Sequence, residues 1–213
     1  MGSVVYTSIF GNYDRLNDPI VYSSDIDYIC FTDNEKIDSN IWDIRASSKY
    51  RDNNRSSKRF KLGPHVFLKD YEYSLWIDGS MTLKVVPDIE GMLDGKTIAL
   101  KKHPMRDCIY AEGIQCVSEG LNWENKIGNQ LKTYSEQGYP ENAGLYECNL
   151  IPRKHNDKEL AELNETWWYH VCIHSIRDQI SFPVVFGDYP IGDIPHSMWC
   201  EMVDINLHYR PIF

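Results

Sequence analysis

The sequence predicts an α/β fold in which helices flank a central sheet. Short runs of β-branched and aromatic residues alternate with helical stretches along the chain, and such alternation favours this architecture. The first run, at residues 3–10, is closed by turn-forming residues 11–14. The apolar run at residues 75–77 ends at Asp78-Gly79, which is typical of a buried central strand with an acid at its carboxyl end. With 213 residues, the chain is long enough for one sizeable domain.

Composition and charge narrow the classes of partner. The formal net charge of -9 argues against nucleic-acid phosphates or an anionic membrane as the main partner. No apolar run approaches the length of a membrane span, so no membrane-spanning segment is expected. The six cysteines lack metal-type spacing, and Cys30 lies in an apolar run where a free buried thiol is expected. A soluble protein in a reducing, cytoplasmic compartment is the resulting expectation.

Further strands are predicted from the same residue types at 28–34, 42–45, 81–85, 97–100 and 148–151. The strand at 28–34 also ends in an acid, Asp33, which suits a hydrogen bond to a ribose or a base. Capping of a turn by Asp33 or Asn34 is the alternative. The alternating residues 203–210 predict a terminal strand.

Helices are predicted at residues 88–93, 111–139 and 158–175, with Ile114, Val117 and Leu121 facing inward in the second of these. A further helix is expected to start near Gly63-Pro64, because proline is tolerated in a first turn. Its apolar positions are Phe60, Leu62, Val66 and Phe67. Residues 181–186 form an apolar run that includes a proline.

A basic segment precedes the strand that ends at Asp78. In a chain that is acidic overall, six basic residues stand close together: Lys49, Arg51, Arg55, Lys58, Arg59 and Lys61. A solvated basic face is the usual outcome of such a run. The alternative is a diphosphate clamp, in which arginine supplies a forked donor and lysine a point charge.

Acids at two strand ends, together with this basic segment, suit a metal-assisted nucleotide-sugar site. In open α/β sheets, ligands sit beyond the carboxyl ends of the strands. Gly79 lets the backbone approach a ligand closely, and Ser80 adds a hydroxyl. A divalent ion held by a carboxylate would neutralise a diphosphate leaving group, and a neutral histidine could complete the ligand set. The alternative for Asp78 is a simple Asp-Gly turn.

A set of motifs spreads over nearly the whole chain: Val4–Asp14, Phe31–Asp33, Lys58–Lys61 with Pro64-His65, Trp76–Ser80, His103-Pro104, Glu112, Gly144-Leu145 and Ser175–Gln179. Together they resemble the glycosyltransferase-like domain of the TOD/MUCI type, although each motif alone is weak. Within that type, the sequence is most similar to the N-terminal glycosyltransferase domain of a multidomain chlorovirus protein. That similarity implies further domains in the same polypeptide and, for a viral protein, a host-cytoplasm location and a role in glycosylating viral glycoproteins.

The resemblance implies a GT-A fold, which is a Rossmann-like α/β domain with a mixed central sheet and a metal-dependent UDP-sugar site. The nucleotide-binding half would span about residues 1–100, and the acceptor and sugar half about residues 101–213. In that fold a strand-ending Asp-x-Asp usually binds the metal, whereas this chain has Asp78-Gly79-Ser80. Asp78 is therefore expected to be the main carboxylate ligand of Mn2+ or Mg2+, with Ser80 acting directly or through water.

The resemblance also implies roles for individual residues. His208 is similar in placement to a late metal-binding histidine, the alternative being a packed or surface histidine. The residues implied for the nucleotide and its diphosphate are Thr7, Ser8, Phe10, Asp33, Lys58, Arg59, Asp78, Gly79 and Ser80. The sugar is expected near the catalytic candidates Asp178 and Gln179, the alternative for Asp178 being an ion pair with Arg177. Acceptor contacts are expected at His103, Glu112 and Gly144.

The reaction that this resemblance implies is transfer of a hexose, of the glucose or rhamnose type, from a UDP-sugar to a glycan hydroxyl. Retention of configuration is expected, with the departing phosphate taking the proton. If the configuration inverts, a carboxylate such as Asp178 must act as the base. A hydrolase on the same scaffold and a non-catalytic nucleotide-sugar-binding module are the alternatives.

Overall fold

The computed structural model describes residues 2–121 and 125–208. The strands are β1 (Ser3–Ile9), β2 (Ile26–Thr32), β3 (Asp43–Ala46), β4 (Tyr73–Ile77), β5 (Met81–Leu83), β6 (Ala99–Lys102), β7 (Tyr146–Glu147), β8 (Leu150–Arg153), β9 (Gly192–Asp193) and β10 (Val203–Ile205). The helices are α1 (Asn53–Leu62), α2 (Pro64–Phe67), α3 (Ile89–Leu93), α4 (Ile109–Ser118), α5 (Lys126–Glu136), α6 (Lys158–Ile173), α7 (Asp178–Phe186) and α8 (His196–Met202).

A five-stranded sheet with the order β3-β2-β1-β4-β8 forms the centre of the molecule. Strands β1 to β4 run parallel, and β8 pairs antiparallel with β4. The chain order reverses at β1, because β2 and β3 lie on one side of it and β4 lies on the other. Such a reversal opens a ligand crevice at the carboxyl ends of the strands. The predicted mixed sheet flanked by helices is confirmed.

Both faces of this sheet are covered. Neighbouring residues of a strand point to opposite faces, so Val4 and Tyr6 pack towards α1, α6 and α7, whereas Val5 and Ile9 pack towards α3 and α8. A third apolar cluster joins α4, α5 and α7 and supports the start of α7. Two smaller sheets, β5 with β10 and β7-β6-β9, complete the fold.

The expected helix start near Gly63-Pro64 is confirmed by a short helix, whereas most of the basic segment, with Phe60 and Leu62, forms a separate helix before it. Helix α1 begins at Asn53, where the Asp52 side chain accepts a hydrogen bond from the Arg55 amide at 2.8 Å, and it ends at Gly63. Pro64 then opens the short helix α2. Val66, which was expected on the apolar face, is 44% exposed. The capping carboxylate of Asp52 marks the start of α1, and the proline marks the start of α2.

The predicted long helix at 111–139 is two helices, α4 and α5. Of the three expected inward positions, Leu121 packs against the apolar cluster of α4, α5 and α7, and the other two are wrong. Ile114 is 70% exposed and Val117 is 44% exposed, whereas Glu112 and Cys116 are buried. The buried face predicted from apolar periodicity is wrong because an acid, Glu112, occupies an inward position of α4. Residues 122–124 of the predicted helix lie outside the described residues.

The terminal strand is shorter than predicted. Strand β10 pairs with β5 only over Val203–Ile205, and residues 209–210 of the prediction lie outside the described part of the chain. The apolar run at 181–186 lies within α7. All six cysteines are free, and Cys30 is buried as predicted. None of the described helices is long and apolar enough to cross a membrane.

Candidate functional site

A cavity of about 230 Å³ lies at the carboxyl ends of β1 and β4, and we call it the strand-end cavity. Its walls come from β1 and the following turn, from one face of α1, from the end of β4 and from His208. Tyr6 lies opposite Trp76 in the sheet, so the ends of the two strands reach the same edge together. The reversal of strand order beside β1 therefore accounts for the position of this cavity.

A second cavity of about 210 Å³ adjoins the first, and we call it the α7 cavity. The two cavities share three charged residues, Lys58, Lys61 and Asp78. The α7 cavity is completed by residues 147–149 and by 177–179, at the start of α7. The joined cavities form one elongated site. We call the three shared charged residues between its two parts the ridge.

The ridge is built from a lysine pair on α1. Lys58 and Lys61 are three residues apart and therefore lie on the same face of the helix. Both ammonium groups reach the Asp178 Oδ2 atom, Lys58 Nζ at 2.8 Å and Lys61 Nζ at 2.7 Å. Lys61 Nζ also lies 3.2 Å from Asp78 Oδ1. Two acids from different parts of the chain thus hold this lysine pair at the centre of the site.

These contacts determine the protonation of Asp178, which is only 5% exposed. Burial would raise the pKa of Asp178, but the charges and hydrogen bonds of Lys58 and Lys61 outweigh it and hold the pKa well below its usual value. Burial would lower the pKa of Lys61, but the charges of Asp178 and Asp78 raise it. Asp178 stays ionised at neutral pH and is a weak proton acceptor.

Asp78 lies at the mouth of both cavities, and its side chain is 39% exposed. Its Oδ1 atom accepts a hydrogen bond from Trp76 Nε1 at 2.7 Å in addition to the Lys61 contact. The Met81 amide donates to the Asp78 carbonyl at 2.9 Å, so the chain also turns here. The Asp-Gly turn, raised as the alternative, and the presentation of a carboxylate to a site therefore occur at the same residues.

A second acid, Asp14, lines the strand-end cavity and was not among the predicted ligands. Its Oδ1 atom lies 2.7 Å from His208 Nδ1. A Cβ added at Gly79 would stand 3.1 Å from Asp14 Oδ2, so glycine leaves room for this carboxylate. Asp14 is the last residue of the turn that closes the first predicted strand, and an acid in that position is the signal that could have identified it.

Asp14, Asp78 and His208 present two carboxylates and an imidazole to one cavity, and Mn2+ and Mg2+ are commonly bound by such oxygen and nitrogen ligands. Across residues 2–121 and 125–208, no group of three His, Cys, Asp or Glu side chains forms a ready-made metal centre. A divalent cation can bind through one or two carboxylates when substrate phosphates supply further ligands. The residues therefore fit a cation that binds together with a diphosphate.

Ser8 of β1 and Phe10 of the following turn were expected to contact the nucleotide, and both line the strand-end cavity. Ser8 Oγ lies 2.8 Å from Ser57 Oγ of α1, and the Phe10 ring stacks on Phe60 at 5.7 Å. Thr7 is 2% exposed and lies outside the lining of either cavity. The polar residues Asn53, Asn54 and Ser57 on the same face of α1 also line the cavity and were not predicted.

Asp33 lies next to the strand-end cavity without lining it. Its carboxylate accepts a hydrogen bond from the Gly11 amide at 2.9 Å and pairs with Lys49 at 3.0 Å. Asn34 caps the following turn, since its side chain accepts from the Lys36 amide at 2.9 Å. Asp33 thus orders the turn after β1, and its contact with a base or ribose stays a prediction.

Arg59 and Ser80 line neither cavity, unlike their neighbours Lys58 and Gly79, although Ser80 lies close to Asp14 and His208 of the strand-end cavity. Arg59 Nη1 pairs with Glu165 Oε1 at 3.1 Å, because adjacent helical residues point in directions about 100° apart. Ser80 is 7% exposed, and its carbonyl accepts a hydrogen bond from the Asn206 amide. The diphosphate role predicted for Arg59 is not supported by this position. Lys61, which the diphosphate-clamp alternative included and the resemblance did not, lines both cavities.

The three residues expected at the acceptor line neither cavity. Glu112 is 3% exposed and accepts from Arg106 Nε at 2.8 Å. The Gly144 amide donates to the Asp107 carbonyl at 2.8 Å, and His103 Nδ1 accepts from the Arg106 amide at 3.1 Å. Their acceptor contacts stay predictions.

Asp178 and Gln179, the residues expected at the sugar, both line the α7 cavity. The Asp178–Arg177 ion pair that was the alternative is not the arrangement found. Arg177 Nη2 instead contacts Gln179 Oε1 at 3.1 Å and Glu112 Oε1 at 3.4 Å.

The chain is similar to a plant protein and to a solved glycosyltransferase structure. Probable hexosyltransferase MUCI70 of Arabidopsis thaliana is 27% identical over 216 aligned positions, which cover 86% of this chain and 37% of that protein. This chain therefore spans little more than a third of the length of that relative. Among solved structures, the apo form of the bifunctional glycosyltransferase WbbM matches 92% of this chain and 38% of that one, with a TM-score of 0.47 at 12% identity.

The family described as TOD1/MUCI70, glycosyltransferase-like domain, matches residues 33–190, about three quarters of the chain. The motifs that carried the resemblance fall mostly within that range, while the similarity to a chlorovirus protein stays a prediction. The chain belongs to the TOD1/MUCI70 family of glycosyltransferase-like domains.

Proposed function

We propose that this chain transfers a hexose from a UDP-sugar to a hydroxyl group of a glycan, with a divalent cation at the diphosphate. Membership of the family supports glycosyl transfer, and the hexosyltransferase name of the relative supports a hexose as the transferred group. The observation that carries the finer proposal is the pair of cavities joined by the ridge of Lys58, Lys61 and Asp78.

A nucleoside-diphosphate sugar has the same three-part layout as the site. The nucleoside suits the strand-end cavity, where aromatic and amide side chains meet. The diphosphate suits the ridge, where two ammonium groups lie side by side, and the hexose suits the α7 cavity. This placement supports a nucleotide half at about residues 1–100 and a sugar and acceptor half at about 101–213. His208 is the exception, because it belongs to the second half by number but lines the strand-end cavity.

The chain's own residues supply most of the chemistry in this proposal. The ammonium groups of Lys58 and Lys61 stabilise the negative charge that develops on the departing diphosphate, and they are held in place before the reaction begins. Asp14, Asp78 and His208 would hold Mn2+ or Mg2+, which adds further positive charge at the diphosphate when bound.

Retention of configuration is part of the proposal, and the state of Asp178 supports it. An inverting transfer needs a carboxylate near the sugar that can accept the acceptor's proton. Asp178 is held ionised by two lysines with its pKa depressed, so it is unsuited to that task. In a retaining transfer the departing phosphate takes the proton, and Asp178 only positions the lysine pair.

The donor is proposed to be a UDP-hexose of the glucose or rhamnose type, and the acceptor a glycan. Because the chain spans 37% of its curated relative, we propose that further domains accompany it in a longer polypeptide, as in the predicted chlorovirus relative. A reducing location, consistent with free cysteines, remains part of the proposal.

Calorimetric titration of UDP, with and without Mn2+, tests the site. The variant Asp78→Asn removes one charge without changing size, and Asp188→Asn makes the same change at an exposed residue outside both cavities. We expect binding that is strengthened by Mn2+ in the wild type and in Asp188→Asn, and loss of that strengthening in Asp78→Asn. Absence of UDP binding to the wild type under every condition would remove the UDP-sugar proposal.

Product analysis with UDP-hexoses separates transfer from the alternatives. Sugar recovered on an added glycan supports the transferase. Free hexose released at a rate independent of the acceptor would favour a hydrolase, and binding without turnover across a broad acceptor panel would favour a non-catalytic module.

A further inference from the structure

One hydrogen-bond donor at the α7 cavity has no acceptor. Arg177 lines this cavity, and its Nε atom is buried without a hydrogen-bond partner in the part of the chain that the structure describes. The Nη2 atom of the same guanidinium is engaged, with Gln179 and Glu112. An unpaired buried donor is costly, and because Arg177 lines a cavity, an acceptor on a ligand bound there would satisfy this donor.

The buried carboxylate of Glu112 contacts the guanidinium of Arg177. Its two oxygens are divided between two arginines: Oε2 contacts Arg106, through Nε at 2.8 Å and Nη2 at 2.7 Å, and Oε1 contacts Arg177 Nη2 at 3.4 Å. Glu112 is 3% exposed and lies outside the lining of both cavities. A carboxylate buried in this way cannot touch a ligand itself, but it can set the direction of the arginine that does.

The neighbours of Arg177 are anchored in other directions. Asp178 is committed to the lysine pair, and Gln179 Nε2 donates to the Tyr146 carbonyl at 3.2 Å. Of three consecutive side chains that line the α7 cavity, Arg177 is therefore the one with a free buried donor among the described contacts.

We propose that Arg177 binds a hydroxyl oxygen of the donor sugar through Nε–H, and that Glu112, itself anchored by Arg106, is the positioning residue that aims it. This inference rests on the proposed function, since it requires the hexose of a UDP-sugar in the α7 cavity. It replaces the acceptor contact predicted for Glu112 with a role exerted through Arg177. It also makes Arg177 a determinant of donor specificity, because a site that hydrogen-bonds a hydroxyl discriminates against sugars that lack it.

Two conservative variants test the proposal. Arg177→Lys keeps the positive charge but removes the Nε–H donor, and Glu112→Gln keeps the size of the side chain but removes its charge. Glu119→Gln makes the same change as Glu112→Gln at an exposed position directly after α4. The affinities of wild type and variants for UDP and for UDP-glucose, UDP-galactose and UDP-rhamnose would be measured by calorimetry, with thermal unfolding as a check on folding.

We expect UDP to bind all variants as it binds the wild type, because UDP lacks the hexose that Arg177 is proposed to contact. The best-bound UDP-hexose should lose about tenfold in affinity with Arg177→Lys and with Glu112→Gln. It should lose nothing with Glu119→Gln. The double variant should bind no more weakly than Arg177→Lys alone, because both changes disable the same contact.

Two results would overturn the inference and leave the nucleotide site in place. One is an Arg177→Lys variant whose affinities for UDP and for the UDP-hexoses both equal those of the wild type. The other is a wild type that binds UDP and every UDP-hexose equally, since no contact with the sugar would then contribute. Failure of the wild type to bind UDP is a different outcome, because it removes the proposed function together with this inference. If the Glu112→Gln variant is unfolded, the affinities of Arg177→Lys for UDP and for the UDP-hexoses are sufficient to test the inference.

Discussion

The two cavities are assembled in different ways. Apart from His208, the strand-end cavity is made from elements that lie within residues 8–79, around the ends of β1 and β4 and along α1. The α7 cavity joins three residues of that region, Lys58, Lys61 and Asp78, to residues 147–149 and 177–179, which are distant in the chain. The first cavity follows from the order of the strands, whereas the second depends on ion pairs between distant segments. Single substitutions should therefore damage the α7 side more than the strand-end side.

The largest effect is expected from Lys61→Met, at the junction of the cavities. This change leaves Asp178 buried with only Lys58 as a counter-charge. Removing one partner of a buried ion pair costs about 3–5 kcal/mol, so urea unfolding should show a loss of that order, together with loss of UDP binding. Met fills nearly the same volume as Lys, which separates the charge from the packing.

Arg59→Met is the matched control, two positions earlier on the same helix. Its partner Glu165 is 46% exposed, so the expected cost is about 1 kcal/mol or less. UDP binding should be unchanged. Equal losses in both variants would contradict the distinction between the two faces of α1, and loss of UDP binding in Arg59→Met would restore the diphosphate role predicted from the sequence.

A smaller effect is expected in the acid range, from Asp178→Asn. The folded-state pKa of Asp178 is depressed, so its contribution to stability is present above the usual carboxyl pKa and is lost as the pH falls towards the lower folded value. The free energy of unfolding of the wild type should therefore fall below about pH 5, and the slope should be shallower in Asp178→Asn. Equilibrium unfolding at several pH values measures this slope.

Asp188→Asn provides the comparison, because this exposed acid lines neither cavity. Its slope should equal that of the wild type. A wild-type slope in Asp178→Asn would mean that the two lysines do not hold the pKa of Asp178 down, and the argument against a base at this position would fail with it.

On the strand-end side, Gly11→Ala should have a moderate effect. Gly11 and Gly95 both have a positive φ, 66° and 73°, so alanine at either position is strained by about 1 kcal/mol. An alanine Cβ at Gly11 would also collide with the Asn53 side chain, whereas at Gly95 it would meet open space. Gly11→Ala should therefore cost about 1–2 kcal/mol more than Gly95→Ala in urea unfolding.

UDP affinity sharpens this comparison. Because Asn53 lines the strand-end cavity, displacing it should weaken UDP binding severalfold in Gly11→Ala, and Gly95→Ala should bind as the wild type does. If both variants bind UDP equally well, Asn53 does not take part in recognising the nucleotide.

The smallest effect is expected from His208→Gln. His208 is half exposed and touches the strand-end cavity only at its edge, next to Asp14. Its loss should weaken UDP binding in the presence of Mn2+ by about 1 kcal/mol, or roughly fivefold, and leave metal-free binding unchanged. His196→Gln, at an exposed histidine of α8, is the control. An unchanged Mn2+-dependent affinity in His208→Gln would confine the proposed cation to the two carboxylates.

The strands and the edge of the sheet could be predicted because their signals are local. The β-branched run at 3–10 and the apolar run ending at Asp78 are each closed by turn residues, so they identify buried strands without reference to distant residues. Four parallel strands then bring their carboxyl ends to one edge. Parts of the family motifs at residues 4–14, 58–61, 76–80 and 175–179 line the cavities at this edge and at the start of α7.

Helix faces were harder to predict. Ile114 and Val117 were expected inside because apolar periodicity favours them, yet Glu112 is buried in their place. Burial of an ionised acid is tolerated only where cations meet it, and those cations, Arg106 and Arg177, come from segments before and far after α4. No local pattern reports such partners.

By itself, the sequence determined the alternation of strands and helices, the acid at the end of the central strand, the concentration of basic residues before it, and membership of a glycosyltransferase-like family. Only the tertiary structure decided which basic residues face the site. Lys58 and Lys61 meet Asp178 while Arg59 turns towards Glu165. The physical reason is that capping groups, turns and periodicity act over a few residues, whereas a buried charge is stabilised by whichever partner the packing of distant elements brings within about 3 Å.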